Sequence, residues 1–538
     1  MPFRRREKTR RIEVAVFQLP PIAPARTRGA AILRQPILIF PSDFARPRYL
    51  SLRMSFGSPL TAWIYDRSPP AVQDLIVSEY SRRRGLRKFG VEFDEHLAEL
   101  ERIQAYDSAK LKSLQDEKIR RTIWHANRYV PHYTKQFAEI CLLPEEVEER
   151  TDLSQLPLLT KETVQAEAEN LRSILYSGRA AEIIHSSGTS GKAISVAVAP
   201  GYLKLEKAYL WLQRRWCGLK PGDRTAYFTG HPVVPIPRKK PPFWVHDRAE
   251  GRTLFSLQHL SEQNLAAYAA ELERFDPELL VGYPTAIYLM AAYLQQTGNR
   301  SIRPRGIFTA SETVLPHQRE MIEAAFGSRL LDLYGQTEYC GMIMQCEKGS
   351  YHIQETYGVV EILDPNGAPS EPGEIGEIVA TGLNNMAMPL LRYRLGDTAI
   401  PRVGSCNCGR GGRLVECIVG RIEDTIVLPD GRLLTRLDFV FKELPEIKEA
   451  QLIQETLDRV RIRLVPGRGF TSAQRLKVEE NFRARAGNDI RLEFEVVSEI
   501  PRLSNGKFRF VISKVSVLPT IRQTGEVLSL ASEEEKTL

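Results

Sequence analysis

Short β-rich runs alternate with longer amphipathic stretches through the middle of the chain. Between about residues 183 and 419, apolar runs such as 279–282 and 306–309 are separated by segments with helical periodicity. A sheet covered by layers of helices produces this alternation, so the pattern predicts an α/β fold. Residues 55–138, which precede this region, show mainly helical periodicity.

One helix of the central region carries a recognisable start signal. The sequence Ser-x-x-Asn opens at Ser261, and Leu265, Tyr268 and Leu272 then fall on one side of a helix that reaches Asp276. Because serine is a preferred residue at a helix N-terminus, we expect this helix to begin at Ser261.

The pattern changes after Gly420. Apolar residues alternate with charged residues over 460–464 and again over 490–496, which is typical of two half-buried strands. Residues 472–486, between these runs, read as a helix. Strand, helix and strand within about a hundred residues predict a small α+β domain.

Four segments follow from these patterns. Residues 1–53 form a basic extension, 54–419 a large multi-layer α/β N-terminal domain, 420–518 a small α+β C-terminal domain, and 519–538 a polar tail. The fold class expected for the whole chain is therefore α/β, with a large and a small domain.

Composition restricts the functions to consider. The 538 residues are 43% hydrophobic and 26% charged, as in globular proteins, and no apolar run is long enough to cross a membrane. The net charge is +8, but residues 1–53 alone carry +9, so the rest is nearly neutral and does not favour nucleic-acid binding. Seven cysteines argue against a disulfide scaffold and favour a cytoplasmic location.

The basic extension, residues 1–53, has two interpretations. It is either a disordered arm that touches a membrane or an acidic partner, or a stretch upstream of a true translation start at Met54. We favour the second interpretation, because the extension shows no sustained pattern.

The segment most suggestive of chemistry is rich in serine and glycine and follows the apolar pair at 183–184. Backbone amides and hydroxyls in such a loop can surround a phosphate, although serine and glycine are also common in ordinary flexible turns. The spacing is not that of a Walker loop. The residues are Ser186, Ser187, Gly188, Thr189, Ser190, Gly191 and Lys192.

Four more motifs follow this loop in order: 334–338 (YGQTE), 393–397 (YRLGD), 420–424 (GRIED) and 501–507 (PRLSNGK). With them, residues 56–518 resemble the adenylate-forming superfamily of acyl-CoA synthetases. The likeness is to its phenylacetate-CoA ligase branch, which includes homologues from capsular polysaccharide biosynthesis. Five motifs in the family's order are far more specific than any one of them.

The resemblance implies a nucleotide site and a Mg²⁺ ion. The Ser186–Lys192 loop would hold the phosphates of ATP, and Glu338 would bind Mg²⁺, which prefers oxygen ligands. Asp397 would accept hydrogen bonds from the ribose, and Arg421 would reach the ribose or a phosphate. Adenine would contact Tyr334 with its neighbours and the preceding turn; these residues are Ala310, Ser311, Glu312, Tyr334, Gly335, Gln336 and Thr337.

The resemblance also implies a mobile small domain. Lys507 would bridge the substrate carboxylate and the α-phosphate, where negative charge develops during adenylation. Glu423 corresponds to the family's hinge. Rotation about it would bring Lys507 into the site for adenylation and remove it for the thiol step.

A second group of residues has the composition of a zinc site. Cys346, His352, Cys406 and Cys408 supply three thiolates and one imidazole, a set suited to tetrahedral Zn²⁺. The alternative is three unrelated thiols and a surface histidine, and Cys340 is a substitute candidate. The remaining cysteines, Cys141, Cys217 and Cys417, are expected in the core.

The function expected from these residues is ATP-dependent, AMP-forming ligation of an aromatic carboxylic acid to coenzyme A, through an acyl-adenylate. Aromatic residues at Tyr227 and Tyr283 occupy stretches that line the acid pocket in relatives, although such residues are equally common in an ordinary core. One alternative keeps adenylation but transfers the acyl group to an amine or hydroxyl. Another is a non-catalytic nucleotide-binding scaffold. A homodimer is considered as the assembly.

Overall fold

The computed structural model describes residues 59–176, 181–185, 194–230, 233–261, 263–421, 426–429, 433–434, 437–441, 444, 446–502 and 509–515. All of them belong to one compact unit, Leu50–Leu538. The basic extension falls outside these ranges, so both interpretations of it stay open.

The described α-helices fall in three groups: one before the large sheet, one interleaved with its strands, and a single helix in the last part of the chain. They are α1 Pro59–Arg67, α2 Pro70–Lys88, α3 Val91–Ile103, α4 Ser108–Tyr129, α5 Pro131–Glu139, α6 Lys161–Ala166, α7 Tyr202–Arg215, α8 Leu265–Phe275, α9 Pro284–Thr297, α10 Pro316–Phe326 and α11 Ser472–Ala486. Within the described ranges, none of the helices has the length and apolar character of a membrane span.

A hairpin and a large sheet contain the first fourteen strands. They are β1 Glu182–His185, β2 Ser195–Val198, β3 Thr225–Thr229, β4 Trp244–Asp247, β5 Arg252–Ser256, β6 Leu279–Gly282, β7 Gly306–Ala310, β8 Leu330–Gly335, β9 Met342–Gln345, β10 Tyr351–Ile353, β11 Gly358–Leu363, β12 Gly376–Gly382, β13 Tyr393–Arg402 and β14 Leu414–Arg421. β1 and β2 pair antiparallel.

Twelve strands form the large sheet in the order β11-β12-β13-β14-β10-β9-β8-β7-β6-β3-β5-β4. The strands β5, β3, β6, β7 and β8 are parallel, and the flanking pairs are antiparallel. The predicted α/β fold class is confirmed, and the run of five adjacent parallel strands agrees with the alternation of strands and helices along the chain.

Both faces of the parallel strands are buried under helices. Successive residues of a strand point to opposite faces, so Leu280 and Ile307 pack against α8, α9 and α10. Leu279 and Phe308 pack on the other face, against α3 and α7. Each such side chain, once fully buried, stabilises the fold by roughly 1.5–3 kcal/mol relative to exposure.

The last part of the chain forms its own sheet and core. The strands β17 Ile447–Thr456, β18 Arg459–Pro466, β19 Arg491–Val496 and β20 Val511–Ser513 pair in the order β19-β18-β17-β20. Val478 and Phe482 of α11 pack against this sheet. Two short strands, β15 Ile426–Val427 and β16 Leu433–Leu434, precede it. The boundaries of the proposed domains stay a prediction.

Candidate functional site

The carboxyl ends of the parallel strands share one edge of the large sheet, called here the candidate edge. β3 ends at Thr229, β5 at Ser256, β6 at Gly282, β7 at Ala310 and β8 at Gly335. In open α/β sheets, ligands bind in the crevice outside the carboxyl ends of the strands. The candidate edge is therefore the expected location of a ligand site.

The turn after β7 contains three residues predicted to lie along the base. Ala310 pairs with Leu333 of β8, and Ser311 has a left-handed φ of 73°. Glu312 Oε2 accepts hydrogen bonds from the Thr285 hydroxyl at 2.8 Å and the Thr285 amide at 3.3 Å. A carboxylate in this position stabilises the first turn of α9, so Glu312 connects two strand ends of the candidate edge.

Tyr334 and Asp397 lie in direct contact. The Tyr334 hydroxyl donates a hydrogen bond of 2.7 Å to Asp397 Oδ2, and Asp397 is only 9% exposed. Asp397 is on β13, where its cross-strand partner on β14 is Arg421. Three residues predicted from motifs far apart in sequence are thus adjacent in the fold. The structure describes only the backbone of Arg421.

Glu338 lies in the turn that leaves β8. A hydrogen bond of 3.2 Å from the Tyr339 backbone amide to the Gln336 carbonyl closes this turn, and Tyr339 has a left-handed φ of 56°. The side-chain amide nitrogen of Gln336, Nε2, lies 3.2 Å from Cys340 Sγ. Because this turn continues from β8, it presents the half-buried Glu338 at the same edge as Tyr334.

Glu206, a carboxyl group in contact with tyrosine side chains, lies behind this turn. It is not among the site residues predicted from the sequence. Tyr202 and Glu206 are one turn apart on α7, and the Tyr202 ring packs edge-to-face on Tyr339 at 5.2 Å. The Tyr357 hydroxyl donates to Glu206 at 2.7 Å. Burial raises the pKa of Glu206 from 4.5 to about 7, although the Tyr357 bond opposes the shift. The sequence signal for this residue is a single acid placed four positions after Tyr202 and three positions before Tyr209 on α7.

Several predicted residues lie outside the described residues. The phosphate loop falls there entirely, although its flanking strands β1 and β2 form a hairpin closed at His185 and Ser195. Lys507 and Glu423 also lie outside. The loop residues concerned are Ser186, Ser187, Gly188, Thr189, Ser190, Gly191 and Lys192.

The fold brings the predicted zinc ligands together from three places. Cys346 directly follows β9, and His352 is on β10. Cys406 and Cys408 lie in the loop between β13 and β14, and β14 pairs with β10 at Leu414 and His352. Strand pairing therefore joins residues that are up to 62 positions apart in sequence.

The spacing of these four ligand atoms fits one metal ion. All lie within 4.8 Å of one another, with 3.7 Å between Cys346 Sγ and Cys406 Sγ and 3.3 Å between Cys408 Sγ and His352 Nε2. Tetrahedral Zn²⁺, with bonds of about 2.3 Å to sulfur and 2.0 Å to nitrogen, requires very similar separations. Burial lowers the pKa of His352 to about 4.

The other cysteines lie elsewhere. Cys340 is buried and contacts Gln336 rather than the metal-ligand cluster. Cys217 and Cys417 are partly buried. The expectation for Cys141 is wrong: it is exposed, because it lies in the turn after α5 with a φ of 53°.

Two family models match the chain. The model described as AMP-binding enzyme matches residues 132–388, which include β1 to β12. The model described as CapK C-terminal domain matches residues 428–514. The chain belongs to the adenylate-forming superfamily.

Curated relatives place the chain within this superfamily. "Protein CapK" of Staphylococcus aureus is 25% identical over 465 residues, which cover 84% of this chain and 99% of CapK. A phenylacetate-coenzyme A ligase of Thermus thermophilus is 23% identical, with coverage of 75% and 96%. The chain therefore lies in the branch that contains phenylacetate-CoA ligases and CapK.

A solved structure supports the fold. A 2-hydroxyisobutyryl-CoA ligase in the postadenylation state, in complex with R3-HIB-AMP, superposes with a TM-score of 0.63. The identity is 17%, and the match covers 79% of this chain and 94% of that one. The predicted fold, including a C-terminal domain, is confirmed.

Proposed function

We propose that this protein activates a carboxylic acid with ATP, releases pyrophosphate and transfers the acyl group from the acyl-adenylate to coenzyme A. The observation that supports this proposal best is the contact between Tyr334 and Asp397 at the candidate edge. It joins an aromatic ring suited to adenine and a carboxylate suited to ribose hydroxyls, with Glu338 on the adjoining turn.

The remaining groups have distinct proposed roles. Glu338 would hold Mg²⁺, because a half-buried carboxylate supplies the oxygen ligands that this cation prefers. Bound Mg²⁺ would neutralise charge on the phosphates. Thr189 and Ser190 would bind the phosphates, and Lys507 would stabilise charge at the α-phosphate.

An aromatic acid is the substrate class that we favour. Half-buried Tyr227 lies within β3, two positions before the strand ends, and half-buried Tyr283 directly follows β6, which is next to β7. Burial raises the pKa of Tyr283 to about 12, and the neighbouring Tyr227 and Glu312 contribute to the shift. Relatives named as phenylacetate-CoA ligases agree with this class.

The acceptor has one alternative. The match to CapK, whose name does not specify coenzyme A as an acceptor, covers 84% of this chain, compared with 75% for the phenylacetate-CoA ligase of Thermus thermophilus. This similarity favours a second candidate, in which an amine or hydroxyl of a saccharide or metabolite replaces coenzyme A.

We also propose a structural zinc ion bound by Cys346, His352, Cys406 and Cys408. A buried cluster of three thiols and an imidazole with closed geometry fits Zn²⁺ and leaves no ligand position for substrate. The ion would fix the loop between β13 and β14 to β10. A cytoplasmic location and a homodimer stay predictions from sequence.

The decisive experiment is ATP–pyrophosphate exchange with a panel of acids, including phenylacetate, benzoate, anthranilate and short aliphatic acids. Exchange with at least one acid is expected, followed by formation of the acyl-CoA when coenzyme A is added. Adenylation without acyl-CoA formation would favour the amine or hydroxyl acceptor. No exchange with any acid would favour the non-catalytic scaffold.

A further inference from the structure

The chain segment between β3 and β4 borders the part of the candidate edge assigned to the acid. Its described portion, residues 233–242, is called here the β3–β4 segment. β3 lies next to β6, and β6 lies next to β7, whose following turn carries Glu312. A segment leaving the end of β3 therefore lies on the side of the nucleotide groups where an acyl chain would extend.

The first two described helices hold the β3–β4 segment from one side. The hydroxyl of Tyr65, on α1, donates a 2.5 Å hydrogen bond to the Val233 carbonyl. Gln73, on α2, donates to the Tyr65 carbonyl at 2.9 Å and accepts from Arg238 at 2.8 Å. Arg238 also donates to the Pro242 carbonyl at 2.8 Å. Tyr65 and Gln73 are buried, so these bonds are shielded from water.

The end of β5 holds the same segment from the other side. Ser256 Oγ lies 2.8 Å from His259 Nδ1, and His259 Nε2 lies 3.2 Å from the Ile236 carbonyl. Gln258 donates to the Gly230 carbonyl at 2.6 Å. Burial lowers the pKa of His259. In a neutral imidazole with its proton on Nε2, Nε2 donates to the Ile236 carbonyl. The single proton of the Ser256 hydroxyl is then shared between His259 Nδ1 and Gln258 Oε1, which lies 3.0 Å from Ser256 Oγ.

Burial excludes a nucleophilic role for this serine–histidine pair. Ser256 is fully buried and His259 is 7% exposed, so a substrate carbonyl has no access to the hydroxyl. The other imidazole nitrogen, His259 Nε2, is hydrogen-bonded to the Ile236 carbonyl. The pair therefore supports the backbone rather than performing chemistry.

The supported segment contacts the aromatic wall of the acid region. Tyr227 packs against a cluster that contains Tyr65, Val233 and Val234. Tyr227 in turn lies near Tyr283 at the end of β6. A displacement of Val233 would thus be transmitted directly to the side chains assigned to the acid pocket.

We propose that Tyr65 and His259 are positioning residues that set the shape of the acid pocket through the β3–β4 segment. This inference rests on the proposed function, because it assigns an adenylated acid to that side of the candidate edge. Recognition of the acid would then depend on α1, because its residue Tyr65 contacts Val233 across 168 positions of sequence.

The test compares Tyr65→Phe and His259→Ala with wild type in ATP–pyrophosphate exchange, using the acid of the panel with the highest wild-type rate. We expect the KM for the acid to rise about fivefold or more in each, since Tyr65→Phe loses the hydrogen bond to Val233 and His259→Ala loses the contacts with Ser256 and Ile236. The KM for ATP should change less than twofold. His259→Gln, which keeps a donor for the Ile236 carbonyl, should restore most of the affinity for the acid.

Tyr209→Phe is the matched control. Tyr209 is on α7, in a different core cluster from Val233 and Val234, and its buried hydroxyl lies 2.8 Å from Thr356 Oγ1. This variant should lower thermal stability as Tyr65→Phe does, without changing the KM for the acid. An unchanged acid KM in Tyr65→Phe and His259→Ala, or equal rises for acid and ATP, would overturn the inference. Wild type inactive with every acid would instead overturn the proposed function.

Discussion

The contact between Tyr334 and Asp397 should contribute directly to nucleotide affinity. Tyr334→Phe keeps the ring but removes the hydroxyl that donates to Asp397 Oδ2. Asp397 then loses a charge-assisted bond that orients its carboxylate, the group proposed to bind the ribose. We expect the KM for ATP to rise about three- to tenfold with a smaller change in kcat, measured by ATP–pyrophosphate exchange.

Tyr351→Phe provides the control for this prediction. Its hydroxyl also donates to a buried aspartate, Asp332 Oδ2, at 3.1 Å, but both residues lie in the core of the sheet. The control should lower stability and leave the KM for ATP near the wild-type value. If both variants raised this KM equally, the Tyr334 hydroxyl would have no specific role in binding.

Glu206 should make stability depend on pH. Its pKa is raised in the folded protein, so its stabilising contribution is complete below pH 4.5 and is lost as pH rises through about 7. Glu206→Gln keeps an acceptor for Tyr357 but does not ionise. The difference in free energy of unfolding between the variant and wild type should therefore shift in favour of the variant by about 1–2 kcal/mol when the pH is raised from 5 to 8.

Denaturant unfolding at pH 5 and pH 8 measures this difference. Glu371→Gln, which removes an exposed carboxyl, serves as the control and should show no comparable change. A gain for Glu206→Gln of the same size at both pH values would mean that Glu206 does not titrate in this range.

At the scale of elements, the metal-ligand cluster connects β10 with the loop between β13 and β14. β13 also carries Asp397, so loss of the metal should loosen the nucleotide site. We expect about one Zn²⁺ per chain by metal analysis, and loss of zinc with a lower unfolding temperature in Cys406→Ser. ATP affinity should fall in the same variant.

Cys141→Ser is the control for the zinc prediction, because this thiol is exposed and outside the cluster. It should keep both the metal and the stability of wild type. Freshly purified wild type without stoichiometric zinc would remove the metal from the site.

Elements with strong local signals could be predicted closely from sequence. The helix expected over residues 472–486 has those bounds, because Thr471 caps it and its apolar face packs on a sheet. The helix expected from Ser261 begins at Leu265 instead. Asn264 donates its side-chain amide to the His259 carbonyl, and the preceding residues form a turn closed by Ser261.

At the scale of the whole molecule, contacts between distant segments determine what sequence could not show. The metal-ligand residues were identifiable because their chemistry is distinctive, although only the pairing of β10 with β14 brings them together. The bond from Tyr65 to Val233 had no such signal, since a tyrosine hydroxyl and a backbone carbonyl occur everywhere. The order of the twelve strands likewise depends on long-range pairing.

Lys507 tests whether the two halves of the protein cooperate in one reaction. The lysine follows β19 by eleven positions, whereas the nucleotide contacts belong to the large sheet. If Lys507 stabilises charge at the α-phosphate, Lys507→Ala should lower ATP–pyrophosphate exchange about 10²- to 10³-fold. Thioester formation from supplied acyl-adenylate and coenzyme A should fall much less, because the α-phosphate of ATP is not attacked in that step.

Lys514→Ala is the matched control for Lys507→Ala. Lys514 lies in the same part of the chain and pairs with Glu455, so its loss should leave exchange close to wild type. Equal losses in both half-reactions for Lys507→Ala would indicate general damage to the C-terminal domain. Exchange at the wild-type rate would show that adenylation proceeds without this cation. Movement of the small domain would then not be needed to bring Lys507 to the α-phosphate.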